Sequence, residues 1–152
     1  MRQFKQYKTL MDIENITADS LLDAFGLLKQ LRQHIKFEEF IIIYKLAQQA
    51  NQYTLVGAYE DGILIGLMGY RILHDYVHGK HLYIDDLVVD GAHRGRGISK
   101  ALLAYAENIA AKLDCNGLRL STGIAHTTGI KFYEAIGWEL KACTFKKGFQ
   151  AI

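Results

Sequence analysis

The stretch from Leu82 to Leu103 constrains the fold of this chain more than any other. A run rich in apolar and β-branched residues, typical of a strand, leads through a glycine-rich turn into a series of apolar residues at three- and four-residue spacing. That spacing predicts an amphipathic helix from Gly97 to Leu113, with one face formed by Ile98, Leu102, Tyr105, Ile109 and Leu113. A strand, a turn and a helix in immediate succession indicate a mixed α/β fold.

The glycine-rich turn has the properties of an anion site. Glycines at 95 and 97 allow the backbone to approach a ligand and direct its N–H groups at phosphate oxygens, and the following helix N-terminus adds a partial positive charge. Arg94 and Arg96 supply charge-assisted contacts. The P-loop pattern GxxxxGK[ST] is absent, and Lys100 stands where the dinucleotide pattern GxGxxG requires its last glycine.

The residues before this turn predict helices followed by strands. A helical pattern begins at Thr17, the candidate N-cap, and places Ala24, Leu28, Leu31 and Ile35 on one face. A second helix is predicted from Lys36 to Ala50, with a core stripe of Phe37, Phe40, Ile41 and Tyr44. Three strands are then predicted at Tyr53–Tyr59, Ile63–Leu73 and Lys80–Asp90, and Asp61-Gly62 is a hairpin signal.

The residues after the long helix predict three further elements. A short strand is expected from Gly117 to Ser121, and a helix from Thr127 to Ile136 with Gly137 as its C-terminal cap. A final strand or pair of strands is expected from Trp138 to Phe149. The predicted order is a strand, two helices, an antiparallel meander and then alternating strands and helices.

Composition favours one globular domain over residues 1–152. Half of the 152 residues are apolar, and 18 basic residues against 16 acidic ones leave no electrostatic case for nucleic acid or an anionic membrane. Met1–Leu10 has no secretory h-region, and the longest apolar run, Phe40–Tyr44, is too short to cross a bilayer. We therefore expect a cytoplasmic protein. In that compartment Cys115 and Cys143 are expected to be buried free thiols, and the alternative is a single disulfide between them.

Two motifs together resemble the GNAT superfamily of acyl-CoA-dependent N-acyltransferases. Arg94-x-x-Gly97-x-Ser99 is similar to the loop that holds the coenzyme A pyrophosphate in that superfamily, although Ser99 replaces its glycine or alanine. Phe132-Tyr133-x-x-x-Gly137-Trp138 is similar to the FYxxxGF element farther along the chain. The resemblance extends from about Tyr53 to Lys147. It implies a mixed, mostly antiparallel sheet flanked by helices, with a strand splayed at the acyl-CoA site.

The resemblance also implies how acetyl-CoA binds as a co-substrate. The pantetheine arm would pair with the backbone of the strand before the loop, and the phosphates would meet the amides of the loop. His126 stands where superfamily members often place an asparagine that contacts pantetheine. The implied cofactor residues are Leu87, Val88, Val89, Arg94, Gly95, Arg96, Gly97, Ile98, Ser99, Lys100, His126 and Phe132.

The catalytic roles follow from the chemistry of acetyl transfer to an amine. That reaction needs a neutral amine, a polarised thioester carbonyl and a proton for the departing thiolate. Tyr133 matches the superfamily tyrosine that donates this proton. Asp85-Asp86 precedes Arg94 at the spacing of the Glu-Asp pair in the polyamine-type branch, so Asp85 is the first candidate base, directly or through water, and Asp86 the second. Adjacent strand residues are expected to face opposite sides.

Two other clusters give competing interpretations. His74, His78 and His81 would converge on a metal ion if they lay on a helix, but Gly79 and the flanking strand patterns favour a polar hairpin loop near the acceptor site. We therefore expect no metal. Arg94-Gly95-Arg96 and Lys146-Lys147 are isolated basic clusters, so nucleic-acid binding is not expected.

The sequence therefore predicts an N-acetyltransferase that acts on a primary amine of a small molecule or protein. The alternative is a non-catalytic acyl-CoA-binding sensor of the same fold. Asp75, Asp85 and Asp86 suit a cationic amine, while protein N-termini, lysines and amino acids stay open as acceptors. A homodimer is compatible with the sequence.

Overall fold

The computed structural model describes residues 11–149, so the prediction for Met1–Leu10 lies outside the described residues. Nine helices and strands follow one another in these residues, and one 3₁₀ turn precedes each of α1 and α3. They are β1 Met11–Asn15, α1 Leu21–Leu31, α2 Phe37–Asn51, β2 Thr54–Glu60, β3 Ile63–Asp75, β4 Gly79–Val89, α3 Ile98–Lys112, β5 Leu118–Leu120 and α4 Thr127–Ala135.

The five strands form one sheet in the order β1-β2-β3-β4-β5. The first three pairings are antiparallel, whereas β5 runs parallel to β4. The mixed α/β fold with a mostly antiparallel sheet is therefore confirmed. β5 pairs only with Leu82, Tyr83 and Ile84, so its ladder with β4 stops where the sequence Asp85-Asp86 begins.

The chain divides into two compact units, one through Leu120 and the other from Ser121. The first unit holds the whole sheet and α1 to α3, and the second holds α4 and the segment after it. The prediction of a strand at Trp138–Phe149 is wrong, because residues 138–149 have no regular secondary structure. Leu140, Phe145 and Phe149 are exposed there, so the apolar residues of this segment form no buried strand face.

The first two helices cover one face of the sheet with a mostly aromatic cluster. Ala24, Leu27 and Leu28 of α1 are buried, and Phe40 is the fully buried residue of α2. Aromatic contacts then run from Phe25 through Phe40 and Tyr44 to Tyr53, with neighbouring ring centroids 5.6–6.4 Å apart. The predicted helix faces are partly correct: Leu31 is 38% exposed, and Ile35 lies beyond the end of α1.

Helix α3 packs closely against β3 because Gly66 has no side chain. A Cβ at Gly66 would lie 2.8 Å from Ile98 Cγ2 and 3.2 Å from Leu102 Cδ1. The buried face contains Ile98 and Leu102 as predicted, but Ala106 and Ala110 take the places expected for Ile109 and Leu113. Small residues on this face allow the helix to lie close to the sheet.

The structure also bears on the thiol and membrane predictions. Cys115 and Cys143 are free thiols, as expected, but Cys115 is only half-buried and Cys143 is exposed. Within residues 11–149, no helix is long and apolar enough to span a bilayer.

Candidate active site

A cavity of about 460 Å³ lies between the first two helices and the sheet. Its wall is mainly apolar, with charged and polar groups concentrated where β3 and β4 reach it. Such a combination is typical of small-molecule sites, in which a few polar groups orient the ligand. The lining residues are Leu28, Arg32, His34, Ile35, Glu39, Phe40, Ile43, Tyr44, Ala47, Asn51, Tyr53, Arg71, Asp85 and Asp86.

A β-bulge places both candidate acids at this cavity. Asp86 pairs with Gly69 and Ile84 pairs with Tyr70, so Asp85 is an extra residue in β4 without a partner in β3. The bulge interrupts the alternation of side chains, and both aspartates line the same cavity. The expectation that they face opposite sides is therefore wrong.

Asp85 is held by a bidentate ion pair with Arg71. The Nη2 and Nε atoms of Arg71 lie 2.7 and 2.8 Å from Oδ1 and Oδ2 of Asp85. The hydrogen bond to Asp85 is the main reason that the pKa of Arg71 is raised, so the guanidinium stays charged. Arg71 also lies over the Tyr83 ring, 5.4 Å from its centroid.

Asp86 is held by Arg32 and Tyr53. Oδ1 accepts hydrogen bonds from Nη2 and Nε of Arg32 at 3.1 and 3.2 Å, and Oδ2 accepts one from the Tyr53 hydroxyl at 2.9 Å. Burial, followed by the Asp86 charge, raises the pKa of Tyr53 far above its ordinary value. Tyr53 is therefore a permanent hydrogen-bond donor to Asp86.

Gly69 makes room for this hydroxyl, so Gly69→Ala is expected to destabilise the protein. A Cβ at Gly69 would overlap the Tyr53 hydroxyl and ring, and relieving the clash would break the bond to Asp86. Hydrogen bonds to charged groups contribute roughly 1.5–3 kcal/mol, so we expect a loss of about 2 kcal/mol in urea denaturation. The matched control is Gly26→Ala on the exposed side of α1, where a Cβ meets nothing within 4 Å. It should gain about 0.5–1 kcal/mol, and equal effects of the two substitutions would contradict the clash.

The glycine-rich loop after β4 contains two residues in the left-handed backbone conformation that favours glycine. Gly95 and Gly97 have φ values of 76° and 80°, and a Cβ on either would meet nothing within 4 Å. The space above the loop is therefore open. Helix α3 begins at Ile98, so the amides of Ile98, Ser99 and Lys100 lie in its first turn, where N–H groups have no partner within the helix.

The two arginines of the loop differ in their contacts. Arg94 donates from Nε to the carbonyl oxygen of Val89 at 3.4 Å. Arg96 donates from Nη2 to Glu60 Oε2 at 2.6 Å, which ties the loop to the end of β2. A phosphate contact by Arg96 therefore has to compete with an existing ion pair.

Gln30 of α1 forms hydrogen bonds with the two residues at the start of this loop, Asp90 and Gly91. Its Nε2 donates to Asp90 Oδ1 at 2.9 Å, and its Oε1 accepts from the Gly91 amide at 3.0 Å. His93 Nδ1 lies 2.7 Å from the other oxygen of Asp90. These contacts, the Gln30 bond first, lower the pKa of Asp90, so its carboxylate stays ionised.

The strand before the loop has an open edge. Leu87, Val88 and Val89 pair with Met68, Leu67 and Gly66 of β3 on one side. On the other side, the ladder with β5 ends at Ile84 within residues 11–149. Beyond Ile84 no strand of the described residues pairs with that edge, although the Val89 carbonyl oxygen accepts from Arg94 Nε, and Val88 and Val89 have buried side chains.

In the second unit, Tyr133 lies on α4 between two aromatic rings. Its centroid is 5.2 Å from that of Phe132 and 5.8 Å from that of Trp138. Burial raises the pKa of Tyr133, so the phenol is protonated at neutral pH. The predicted helix is confirmed to within one residue, and Gly137 follows it with a φ of 96°.

Comparison with known proteins shows the family of this chain. Residues 15–138 match the Acetyltransferase (GNAT) family. The protein belongs to this family. It is 27% identical over 126 residues to an uncharacterised N-acetyltransferase of Bacillus subtilis, covering 82% of this chain and 89% of the relative. It is also 27% identical over 133 residues to an aminoglycoside N(6')-acetyltransferase of Salmonella enteritidis, covering 85% and 92%.

A solved structure supports the same assignment. The aminoglycoside N-acetyltransferase AAC(6')-Iy, in complex with the bisubstrate analog CoA-S-monomethyl-acetylneamine, superposes with a TM-score of 0.81 at 25% identity. The match covers 93% of this chain and 99% of that chain. The resemblance drawn from the two motifs is thus confirmed, and this GNAT-family member is an acyltransferase.

His126, which precedes α4, stands at the position where the resemblance implies an asparagine. Its Nδ1 lies 3.2 Å from the Thr122 hydroxyl oxygen, so one ring nitrogen is engaged locally. A Cβ at Gly129 would lie 2.6 Å from Nδ1, which shows that the ring position depends on that glycine. The contact to pantetheine that the resemblance implies for this position stays a prediction.

Several residues at the cavity of this acyltransferase carry no sequence signal. Arg32, Tyr53 and Arg71 reach the aspartates from positions separated from them by 54, 33 and 14 residues. Gln30 reaches Asp90 across 60 residues. Conversely, the β3–β4 hairpin, which was expected near the acceptor site, contributes no residue from 74 to 81 to the lining of the cavity.

Proposed function

We propose that this GNAT-family enzyme transfers the acetyl group of acetyl-CoA to a primary amine of a small molecule or protein. The observation that carries the proposal is the position of Asp85 and Asp86. They lie at the cavity, directly before the open edge of β4 and the glycine-rich loop. The cavity would take the amine, and the strand edge and loop would take the cofactor. A bisubstrate complex of a 25% identical relative is consistent with this arrangement.

The chain's own groups fit acetyl-CoA. The amides from Gly95 to Lys100 would receive the phosphates, and Arg94 adds positive charge beside them. The backbone of Leu87, Val88 and Val89 would hydrogen-bond the pantetheine arm. The roles of His126 and Phe132 in holding the cofactor rest on the resemblance. When bound, acetyl-CoA supplies the thioester that is to be attacked.

The proposed reaction moves one acetyl group and one proton. The nitrogen lone pair attacks the thioester carbonyl carbon, the C–N bond forms and the C–S bond breaks. The amine gives up a proton to the base, and the thiolate receives one from the protonated Tyr133. Solvent then takes the proton from the base and returns one to Tyr133, so that one net proton passes from nitrogen to sulfur. Each oxygen of Asp85 already accepts a hydrogen bond from Arg71, which favours proton removal through a water molecule over direct contact. Asp86, bound to Arg32 and Tyr53, is the second candidate.

The charges that line the cavity favour a cationic acceptor. Arg71 and Arg32 are balanced by Asp85 and Asp86. Glu39 also lines the cavity and forms no ion pair among residues 11–149. One uncompensated carboxylate at the exposed margin of a mainly apolar cavity attracts an ammonium group. We therefore propose an acceptor with more than one positive charge, in which one amine reacts and another is held near Glu39.

The test is release of the CoA thiol with a panel of amines. The panel contains an aminoglycoside, a polyamine, an amino acid, a lysine-containing peptide and a peptide with a free N-terminus. We expect turnover with one or both of the polycationic small molecules, with the acetylated amine identified by mass spectrometry. Binding of acetyl-CoA without thiol release for any amine would instead support the sensor alternative. Turnover restricted to the peptides would overturn the preference for a small polycation.

Acetyl-CoA is expected to raise the melting temperature of the protein. Ligand at 100 times its Kd adds about 2.7 kcal/mol, which corresponds to roughly 5–10 °C for a chain of this size. Gly97→Glu should abolish the shift, because it places bulk and negative charge in the open space above the loop. Gly97→Ala has the same backbone strain without the charge and should keep most of the shift. A Gly97→Glu protein that responds like the wild type would place the phosphate site elsewhere.

A further inference from the structure

We propose that the tip of the β3–β4 hairpin binds a divalent transition metal ion of the zinc type through Asp75, His78 and His81. This site is separate from the cavity, and no step of acetyl transfer depends on it. One ligand atom from each residue lies within 4.8 Å of the other two. Helical spacing would group His74 with His78 and His81, whereas the hairpin places Asp75 beside these two histidines.

The distances fit a tetrahedral ion. His78 Nδ1 lies 3.0 and 3.1 Å from the two oxygens of Asp75, and His81 Nε2 lies 3.8 Å from Asp75 Oδ2. Zinc holds nitrogen and oxygen ligands at about 2.0–2.1 Å, which places neighbouring ligand atoms about 3.3 Å apart. Asp75 and His78 therefore already stand near the required separation. Their exposed side chains have to move toward buried His81, whose ligand atom lies within 4.8 Å of both others, and water fills the fourth position.

Two of the ligands are already oriented. Asp75 Oδ1 accepts hydrogen bonds from the amides of Val77 and His78 at 3.0 and 2.6 Å, which leaves Oδ2 directed at the cluster. His81 is 1% exposed, and its Nδ1 lies 3.0 Å from the Gly79 carbonyl oxygen. Since a carbonyl only accepts, the proton is on Nδ1 and the lone pair of Nε2 faces the cluster. Histidine ligands of metals typically have such a backbone partner.

A positive nitrogen already stands among the three ligand atoms. Arg119 Nη1 lies 3.2 Å from Asp75 Oδ2, 3.2 Å from His78 Nδ1 and 3.0 Å from His81 Nε2. His78 Nδ1 also contacts the Asp75 carboxylate, which only accepts, so this ring nitrogen carries a proton that a metal ion has to displace together with the guanidinium. The Arg119 guanidinium therefore competes with a metal ion for these ligand atoms. Its side chain is 36% exposed, so it has room to move away.

The hairpin tip is held in place before any ion arrives. Asn116 donates from its amide nitrogen Nδ2 to the His78 carbonyl oxygen at 3.3 Å and from its backbone N–H to the Lys80 carbonyl oxygen at 2.7 Å. Gly79 has a φ of 62°, and a Cβ there would clash with the Asn116 side chain. The backbone of the hairpin tip therefore needs little reorganisation, which lowers the entropic cost of binding.

The experiment is a calorimetric titration of the tag-free, chelator-treated full chain with ZnCl₂. We expect one ion per chain and a rise in melting temperature with zinc. Arg119→Gln should tighten binding by about tenfold, because it removes the competing cation, and His78→Ala should abolish it. His78 is 38% exposed, so its loss is not expected to unfold the protein, unlike that of buried His81. Circular dichroism verifies the fold of each variant.

A parallel titration with CoCl₂ identifies the ligands. Nitrogen and oxygen ligands give weak visible bands, whereas a thiolate gives a strong near-ultraviolet band, and Cys115 and Cys143 are the alternative ligands. Three results overturn the proposal: a thiolate band at one equivalent, zinc binding unchanged in His78→Ala, or no zinc binding by either wild type or Arg119→Gln. A wild type that binds weakly beside an Arg119→Gln protein that binds tightly supports it.

Discussion

Replacing Tyr133 by phenylalanine is expected to lower kcat by about 100- to 10,000-fold, the usual contribution of a positioned general acid. The substitution removes the hydroxyl and keeps the ring, so contacts with Phe132 and Trp138 should survive. Because burial raises the pKa of Tyr133, the phenol is protonated throughout the working pH range and its loss should matter at every pH. Steady-state kinetics with a confirmed amine give the measurement.

The control for Tyr133→Phe is the affinity for acetyl-CoA. Calorimetric Kd values should agree within about twofold for the two proteins, since the hydroxyl is proposed to act on the departing thiolate and not on bound cofactor. A loss of kcat smaller than roughly threefold would show that water or another group protonates the thiolate. A large loss of affinity with unchanged kcat would make Tyr133 a binding residue.

Asp85→Asn is expected to lower kcat/KM by about 100-fold at low pH and by less at high pH, where free amine is abundant. Asparagine keeps the shape of the side chain but cannot take a proton from the ammonium. The rate should therefore climb with pH in both proteins, with the steeper dependence in the variant. The measurement is a pair of pH–rate profiles with one amine. Parallel profiles would remove Asp85 from the base role.

Asp86→Asn provides the matched comparison, because both aspartates line the cavity and both are ion-paired. It removes the negative charge that pairs with Arg32, which keeps only its bond to the Asp85 carbonyl oxygen, and it weakens the bond from Tyr53. We expect a loss of about 1.5–3 kcal/mol in stability, and a profile parallel to that of the wild type. A selective loss at low pH in Asp86→Asn would transfer the role of base to Asp86.

Local patterns predicted the elements well, because strand and helix periodicities are properties of neighbouring residues. Lys80–Asp90 was expected for the strand observed at Gly79–Val89, and the helix expected from Gly97 begins at Ile98. The same reasoning failed for Trp138–Phe149. Apolar residues at strand-like spacing form a strand only if another strand supplies hydrogen bonds. Residues 138–149 pair with no strand among the described residues.

The bulge at Asp85 and the hydrogen-bond partners of the two aspartates could not be predicted from the sequence. The bulge at Asp85 depends on how β4 pairs with β3, and the residues around Asp85 alone carry no signal for an unpaired residue there. The partners of the two aspartates are Arg32 directly after α1, Tyr53 directly before β2, and Arg71 of β3. The glycine-rich loop, in contrast, was predictable, because its geometry follows from residues that are consecutive in the chain.

The end of α1 links the glycine-rich loop to the cavity. Gln30 holds Asp90 and the Gly91 amide, and two residues later Arg32 holds Asp86 and the Asp85 carbonyl oxygen. A ligand that displaces this helix end at one site therefore changes the contacts at the other. Thermodynamic linkage makes such an effect symmetrical. If one substrate changes the Kd of its co-substrate by a given factor, the co-substrate changes the Kd of the first substrate by the same factor.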